Sequence, residues 1–246
     1  MEKILKVWKQ AGETPLEVIE KIRNEREGYD DLKMTYAGRL DPLAEGELII
    51  LVEDLVHEKE RYMHLDKEYE VDVLLGISTD TYDTLGLVTD EGVIERNWQE
   101  KVQKFIDNKI GEFSQKYPPF SSKTINGIPM FQLTKEGKEF EIPEHIVRLD
   151  HAEIIEQRVI RKDQLKEEIE SKNILVRGDF RQEEIQDRWN DYFEQTEFTE
   201  YPLITIRLKV GSGFYVRQFV EDLGKFLKSN ALAFHIKRTQ IFDNLK

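Results

Sequence analysis

Between residues 69 and 77 the chain alternates with period two, placing Val71, Val73 and Leu75 on one face and polar residues such as Glu70 and Asp72 on the other. Ile204, Ile206, Leu208 and Val210 repeat the pattern, and both stretches predict half-buried strands. Helical spacing appears behind Thr14-Pro15-Leu16-Glu17, where Thr14 is a natural N-cap, Pro15 suits the first turn and Glu17 closes a capping box. Leu16, Ile19 and Ile22 then predict a buried face, and Gly28 a stop. A second helix is predicted over 98–110, with Val102, Phe105 and Ile106 inward and Gly111 ending it. The Gly211–Gly213 turn breaks the later strand, and 218–228 predicts a helix burying Phe219, Val220, Leu223 and Phe226.

Two stretches stand apart from this alternation. Residues 151–200 place Ile185, Trp189, Tyr192 and Phe193 at helical spacing after Asp179-Phe180, which predicts a helical insertion between two core strands. Residues 115–145, with Tyr117-Pro118-Pro119-Phe120 and Ile125-Asn126-Gly127-Ile128-Pro129, predict a long turn-rich excursion of the kind that carries function. Helices and strands mixed without repeats give an α+β chain, expected to form a single domain over 1–246.

Charge sharpens the division. The chain holds 36 Lys and Arg against 49 Asp and Glu, a net of −13, and 151–200 alone holds 14 acidic and 8 basic residues. An acidic chain does not bind nucleic acid indiscriminately, but a local basic surface survives if the acidic segment projects away from it. Arg207, Lys209 and Arg217 follow one another with no acidic residue between them. There is no cysteine, hence no disulfide framework, thiolate metal site or cysteine nucleophile, which fits a cytoplasmic setting. No apolar run approaches 18 residues, and no signal-peptide pattern opens the chain, so no membrane association is expected. His57, His64, His145, His151 and His235 show no metal-ligand spacing.

The candidate chemistry lies in four segments. Asp41-Pro42 within Ala37-Gly38-Arg39-Leu40-Asp41-Pro42-Leu43-Ala44-Glu45-Gly46 would, taken alone, be an N-cap and first-turn pair. The decapeptide resembles the Gly-x-Leu-Asp-Pro-Leu-Ala-x-Gly active-site loop of TruB-type tRNA pseudouridine synthases. Lys67-Glu68-Tyr69 resembles that family's Lys-x-Tyr motif, and Leu75 to Gly86 resembles its Leu-Gly-x-x-Thr-Asp-Thr-x-Asp-x-x-Gly segment. Gly211-Ser212-Gly213-Phe214-Tyr215-Val216-Arg217, continuing to Asp222-Leu223-Gly224, resembles its Gly-Thr-Tyr-Ile-Arg and Asp-Leu-Gly block. Four motifs in register across nearly the whole chain make the resemblance specific.

The resemblance implies a mixed, mostly antiparallel sheet with flanking helices and a central active-site cleft. It implies isomerisation of a uridine in tRNA, most plausibly in the T loop, with no cofactor or metal because the reaction is redox-neutral. Asp41 would be the carboxylate acting at the ribose, Arg217 the cation that orients it, and Tyr69 the ring stacked on the base near C5. By the same resemblance 115–145 would be the RNA-gripping insertion, with Lys116, Lys123 and Phe131 as contacts. Lys9, Tyr36, Arg39, Lys209 and Arg238 join them as RNA contacts, and Ile236 packs the active site. Tyr36 stands where the family has a histidine, and 151–200 is longer than the family's usual connection. The family's C-terminal RNA-binding PUA domain is not expected in this chain. A monomer suffices for this chemistry. Three other readings stay open: a ribosomal-RNA substrate, suggested by Gly38-Arg39-Leu40-Asp41; a non-catalytic tRNA-folding factor; and an acidic interaction protein docking through 151–200.

Overall fold

The computed structural model describes residues 2–242. Strands β1 (Ile4–Lys9), β2 (Met34–Ala37), β3 (Glu45–Val52), β4 (Asp66–Leu75), β7 (Gly111–Lys116), β10 (Glu144–Arg161), β11 (Glu200–Val210) and β12 (Ala231–Phe242) form one sheet. Its order is β1-β3-β12-β4-β11-β10-β7, with β2 also on β3. Every pairing is antiparallel except the short β12–β3 contact at Lys237 and Arg238, so the expected mixed, mostly antiparallel α+β architecture is present. Two small ribbons, β5 (Ile77–Thr79) with β6 (Val88–Glu91) and β8 (Thr124–Ile125) with β9 (Ile128–Pro129), stand off the main sheet. The helices are α1 (Pro15–Glu25), α2 (Lys59–Met63), α3 (Trp98–Lys109), α4 (Met130–Lys135), α5 (Lys162–Leu175), α6 (Gln182–Gln195) and α7 (Val216–Leu227). None is long and apolar enough to cross a membrane.

Strand alternation sorts the two sheet faces. Val71 and Val73 of β4, with Ile204, Ile206 and Leu208 of β11, bury against α3 and α7 through Val102, Phe105, Phe219 and Leu223. Leu74 and Leu203, with Leu232 and Phe234 of β12, point the other way and are covered by Leu165, Ile169, Ile185 and Trp189. The insertion expected over 151–200 is therefore narrower than its sequence outline. Residues 151–161 complete the 18-residue strand β10, and the insertion itself is the antiparallel pair α5–α6.

Two helical faces differ from expectation. The capping box at Thr14 forms, but Leu16 is 63% exposed. The buried stripe of α1 is Pro15, Val18, Ile19 and Ile22, and at about 100° per residue Leu16 falls nearly opposite Val18. Phe226 is 41% exposed at the edge of α7, resting on Phe105 with ring centroids 5.6 Å apart.

Candidate active site

Strand β2 delivers the chain into residues 38–44, and β3 carries it away. Asp41 and Pro42 start no helix here; the Ala44 N–H donates to the Asp41 carbonyl at 3.1 Å, closing a tight turn. Two buried cations brace that turn from behind. Lys9 is fully buried, and its Nζ donates to the carbonyls of Gln10 (3.1 Å), Pro42 (3.1 Å) and Ala44 (2.6 Å). Arg238 is equally buried and donates from Nε to Glu47 O at 2.7 Å and from Nη2 to Gly38 O at 3.1 Å. Gly46 lets the loop pass against β12, because its φ of +128° and the nearby Arg238 backbone leave no room for a Cβ.

Lys9 and Arg238, read from the sequence as RNA contacts, are both buried behind the loop. Lys9 directs its hydrogen bonds to three loop carbonyls, and Arg238 holds two more. Burial pushes the Lys9 ammonium down to about 8, partly offset by the Asp41 charge. Lys9→Met would remove a buried charge and take the donor from Ala44 O, while Pro42 O and Gln10 O keep the N–H groups of Gly12 and Glu13. The fold should persist at a cost of about 1–3 kcal/mol, that of one buried acceptor left unpaired. Turnover should fall about 10- to 100-fold through misplacement of the Asp41 loop, read as a loss in kcat that exceeds what a drop of several degrees in thermal midpoint explains at the assay temperature.

Arg217 comes from the first turn of α7, directly after the 211–215 connection, and is 5% exposed. Its Nε donates to Asp41 Oδ2 at 2.7 Å, Nη1 to Thr81 O at 2.6 Å and Nη2 to Phe120 O at 3.2 Å. The guanidinium is thus locked on three sides, each partner from a different segment. Asp83 Oδ2 lies 3.6 Å from the same Nε. Burial pushes the Asp83 carboxyl up to about 6, against the pull of Arg217 and with a push from Asp41. Burial also opposes the Arg217 charge, but Asp41 and Asp83 outweigh it and hold the guanidinium above its usual range. Asp41 is the more open partner at 38% side-chain exposure, and it faces a cleft of about 820 Å³.

Tyr69 from β4, Ile236 from β12, and Val210 and Phe214 around the end of β11 give that cleft an apolar wall. Tyr69 is 8% exposed. Lys67, on the same face of β4, donates to Met63 O (3.0 Å) and Leu65 O (2.5 Å), and burial lowers its ammonium to about 8. Gln115 fixes the Tyr215 backbone through both its amide atoms, and Tyr215, Tyr117 and His145 cluster beside the Gly213 turn. The structure therefore brings Asp41, Tyr69, Arg217 and Ile236 to one cleft.

The other expected RNA contacts divide. Arg39 is exposed at the mouth and donates to the Tyr36 hydroxyl at 3.3 Å, while Lys59 lies over the Tyr36 ring at 4.8 Å. Phe131, on α4, lines the same mouth and is 40% exposed. Lys123 is exposed over the Tyr117 ring at 5.1 Å, and Lys116 is exposed on β7, 4.0 Å from Glu144. Lys209 points away from the cleft: it alternates with cleft-lining Val210 and lies over the Phe242 ring on the opposite sheet face, 4.7 Å from its centre. Asp83 and the carbonyls of Thr81 and Phe120 belong to the site although they were not among the predicted residues. Asp83 lies in the quoted Thr-Asp-Thr-x-Asp run, so a signal was present. Nothing in the sequence marks the two carbonyls.

The model of the TruB family pseudouridylate synthase N-terminal domain matches residues 26–174. The tRNA pseudouridine synthase B of Aquifex aeolicus is 33% identical over 142 residues, covering 58% of this chain and 48% of that protein. That of Bacteroides thetaiotaomicron is 25% identical over 241 residues, 96% of this chain and 83% of that one. The chain spans about half the length of several curated relatives it matches. Among solved structures, a chain of a Cbf5-Nop10-Gar1 complex superposes with a TM-score of 0.57 at 16% identity, over 97% of this chain and 48% of that one, which is a likeness of fold. With a family model matched over more than half its length, this chain belongs to the TruB family of pseudouridylate synthases.

Proposed function

We propose that this protein isomerises a uridine of tRNA, in the T loop, to pseudouridine. The reading rests on one arrangement: an Asp41 carboxylate open to a cleft, aimed by a buried arginine and walled by Tyr69. Family membership and relatives named tRNA pseudouridine synthase B support it. The C1′–N1 bond breaks, the freed uracil turns, and C1′ bonds to C5. The C5 proton leaves and N1 gains one, so composition is unchanged. Asp41 acts at C1′, as nucleophile or as base on the ribose. Tyr69 stacks on the base. A uridine in a folded loop reaches such a cleft only by flipping out, at a cost of a few kcal/mol offset by stacking and phosphate contacts.

The test is direct. The protein is incubated with unmodified tRNA transcript and pseudouridine is mapped by carbodiimide labelling and reverse-transcription stops, since mass does not change. A single stop in the T loop is expected. Stops elsewhere would reassign the uridine, and no stop in tRNA alongside one in ribosomal RNA would reassign the substrate.

A further inference from the structure

We infer that the turn joining α5 and α6, residues 176–181, is a substrate-contacting rim of the cleft, and that Arg181 is an RNA-phosphate ligand beside the flipped nucleotide. This rests on the function proposed above and adds an element from outside the resembling motifs.

The turn spans the cleft mouth. On one side Leu175 packs against Gly12, where a Cβ would come within 2.6 Å of Leu175 Cβ, and Arg177 lies 3.9 Å from Glu17. On the other side Lys135 of α4 donates to Asp179 O at 3.1 Å. Gln182 stiffens the turn: its amide oxygen accepts from Phe180 N at 2.9 Å, and its amide nitrogen donates to Gly178 O at 2.7 Å. Asp179, Phe180 and Arg181 all line the same cleft as Asp41.

Arg181 is wired to the catalytic arginine. Its Nη1 donates to Asp80 Oδ2 at 2.8 Å, and Asp80 precedes Thr81, whose carbonyl holds Arg217. Its guanidinium lies 4.8 Å from the centre of the Phe120 ring, and the Phe120 carbonyl holds Arg217 as well. Of the five N–H donors of a guanidinium, only one finds an acceptor among the described residues, and the side chain is 21% exposed. The other cations lining the cleft are Arg39, Lys67, Lys135, Arg217 and Arg238. Lys67, Arg217 and Arg238 are buried and engaged with carbonyls or Asp41. A polyanion entering past Asp41, Asp80 and Asp83 in a chain of net charge −13 therefore has Arg39, Lys135 and Arg181 to meet, and Arg181 is the one tied to the floor of the site.

Arg181 also breaks three local rules of stability. It holds a left-handed conformation (φ +63°, ψ +31°), occupies the N-cap of α6 without a side-chain cap bond, and puts a cation at the positive end of that helix. Asparagine tolerates the left-handed conformation better and sets no charge against the helix dipole. Local choices that oppose the fold concentrate at functional sites.

That preference supplies the experiment. In the full chain carrying Asp41→Asn, to prevent turnover, binding of a fluorescein-labelled T-arm stem-loop RNA is measured by anisotropy across a salt series. Arg181→Asn should leave the thermal midpoint unchanged or raised, weaken binding about tenfold, and make the slope of log K against log salt shallower by about 0.7, the loss of one single-strand phosphate contact. Arg181→Lys should keep the slope. An unchanged slope in Arg181→Asn, whether or not affinity or stability moves, would reduce Arg181 to a structural latch and overturn the inference. If the Asp41→Asn parent itself shows no salt-dependent binding, the functional reading falls, and this one with it.

Discussion

Asp41→Asn should fold, bind tRNA and form no detectable pseudouridine. The change keeps volume and leaves an amide oxygen facing Arg217 Nε, now 2.7 Å from Asp41 Oδ2, so the turn and its bracing by Lys9 and Arg238 persist. Arg217 does not become an unpaired buried charge, because Asp83 lies 3.6 Å away. Loss of the Asp41 charge removes one of the interactions that push the Asp83 carboxyl up, so Asp83 ionises more readily and takes over as counter-ion. Stability should therefore change by no more than about 1 kcal/mol. What the amide cannot do is attack C1′ or accept a proton there, and the rate should drop by at least about 10³-fold. Affinity for RNA should hold or rise, since a negative charge leaves a cleft that receives phosphates. Carbodiimide mapping alongside anisotropy separates the two effects. Near-normal turnover in Asp41→Asn would remove the carboxylate from the reaction.

The strands, the capped first helix and the three residues that meet at the cleft were legible because each is carried by local pattern: alternation in β4 and β11, Thr14 with Glu17, and motif spacing around Asp41, Tyr69 and Arg217. Lys9 and Arg238 show the limit of such reading. A basic residue in a motif looks like a phosphate ligand until burial is known, and here both neutralise carbonyl dipoles behind the loop. Lys209 is one residue from cleft-lining Val210, an offset that turns its side chain to the far face of the sheet. Phe180 and Arg181 were invisible as site residues because they reach the cleft only through the packing of α5–α6 on Leu74, Leu203 and Leu232. Exposed apolar positions such as Ile155 and Val159 blur the alternation, so the sequence gives no hint that β10 runs on past β7 before the insertion begins.

Arg217→Met should be the most damaging single change, costing both stability and activity. The wild-type guanidinium ties together Asp41, Thr81 and Phe120, three segments that otherwise meet only around this cleft. Methionine fills much of the volume but leaves two carbonyls without donors and two carboxylates facing one another without a cation. Removing one partner of a buried ion pair costs about 3–5 kcal/mol, which at 2–4 °C per kcal/mol for a chain this size lowers the thermal midpoint by about 10 °C. The deficit should depend on pH with a definite sign. Burial already raises Asp83 to about 6, and Arg217 is the strongest influence holding it down. Without that cation its carboxyl moves further up, so the folded variant binds a proton that the unfolded chain releases near the ordinary aspartate value. Its stability falls as pH rises between those two values. Melting curves of variant and wild type should thus lie closer at pH 5 than at pH 8. Arg217→Lys restores a charge beside Asp41 but cannot reach Thr81 O and Phe120 O together, so it should abolish most of the added pH dependence while turnover stays at least about 10²-fold down. A lysine variant with full activity would mean that charge alone, without the three-way fork, suffices to aim Asp41.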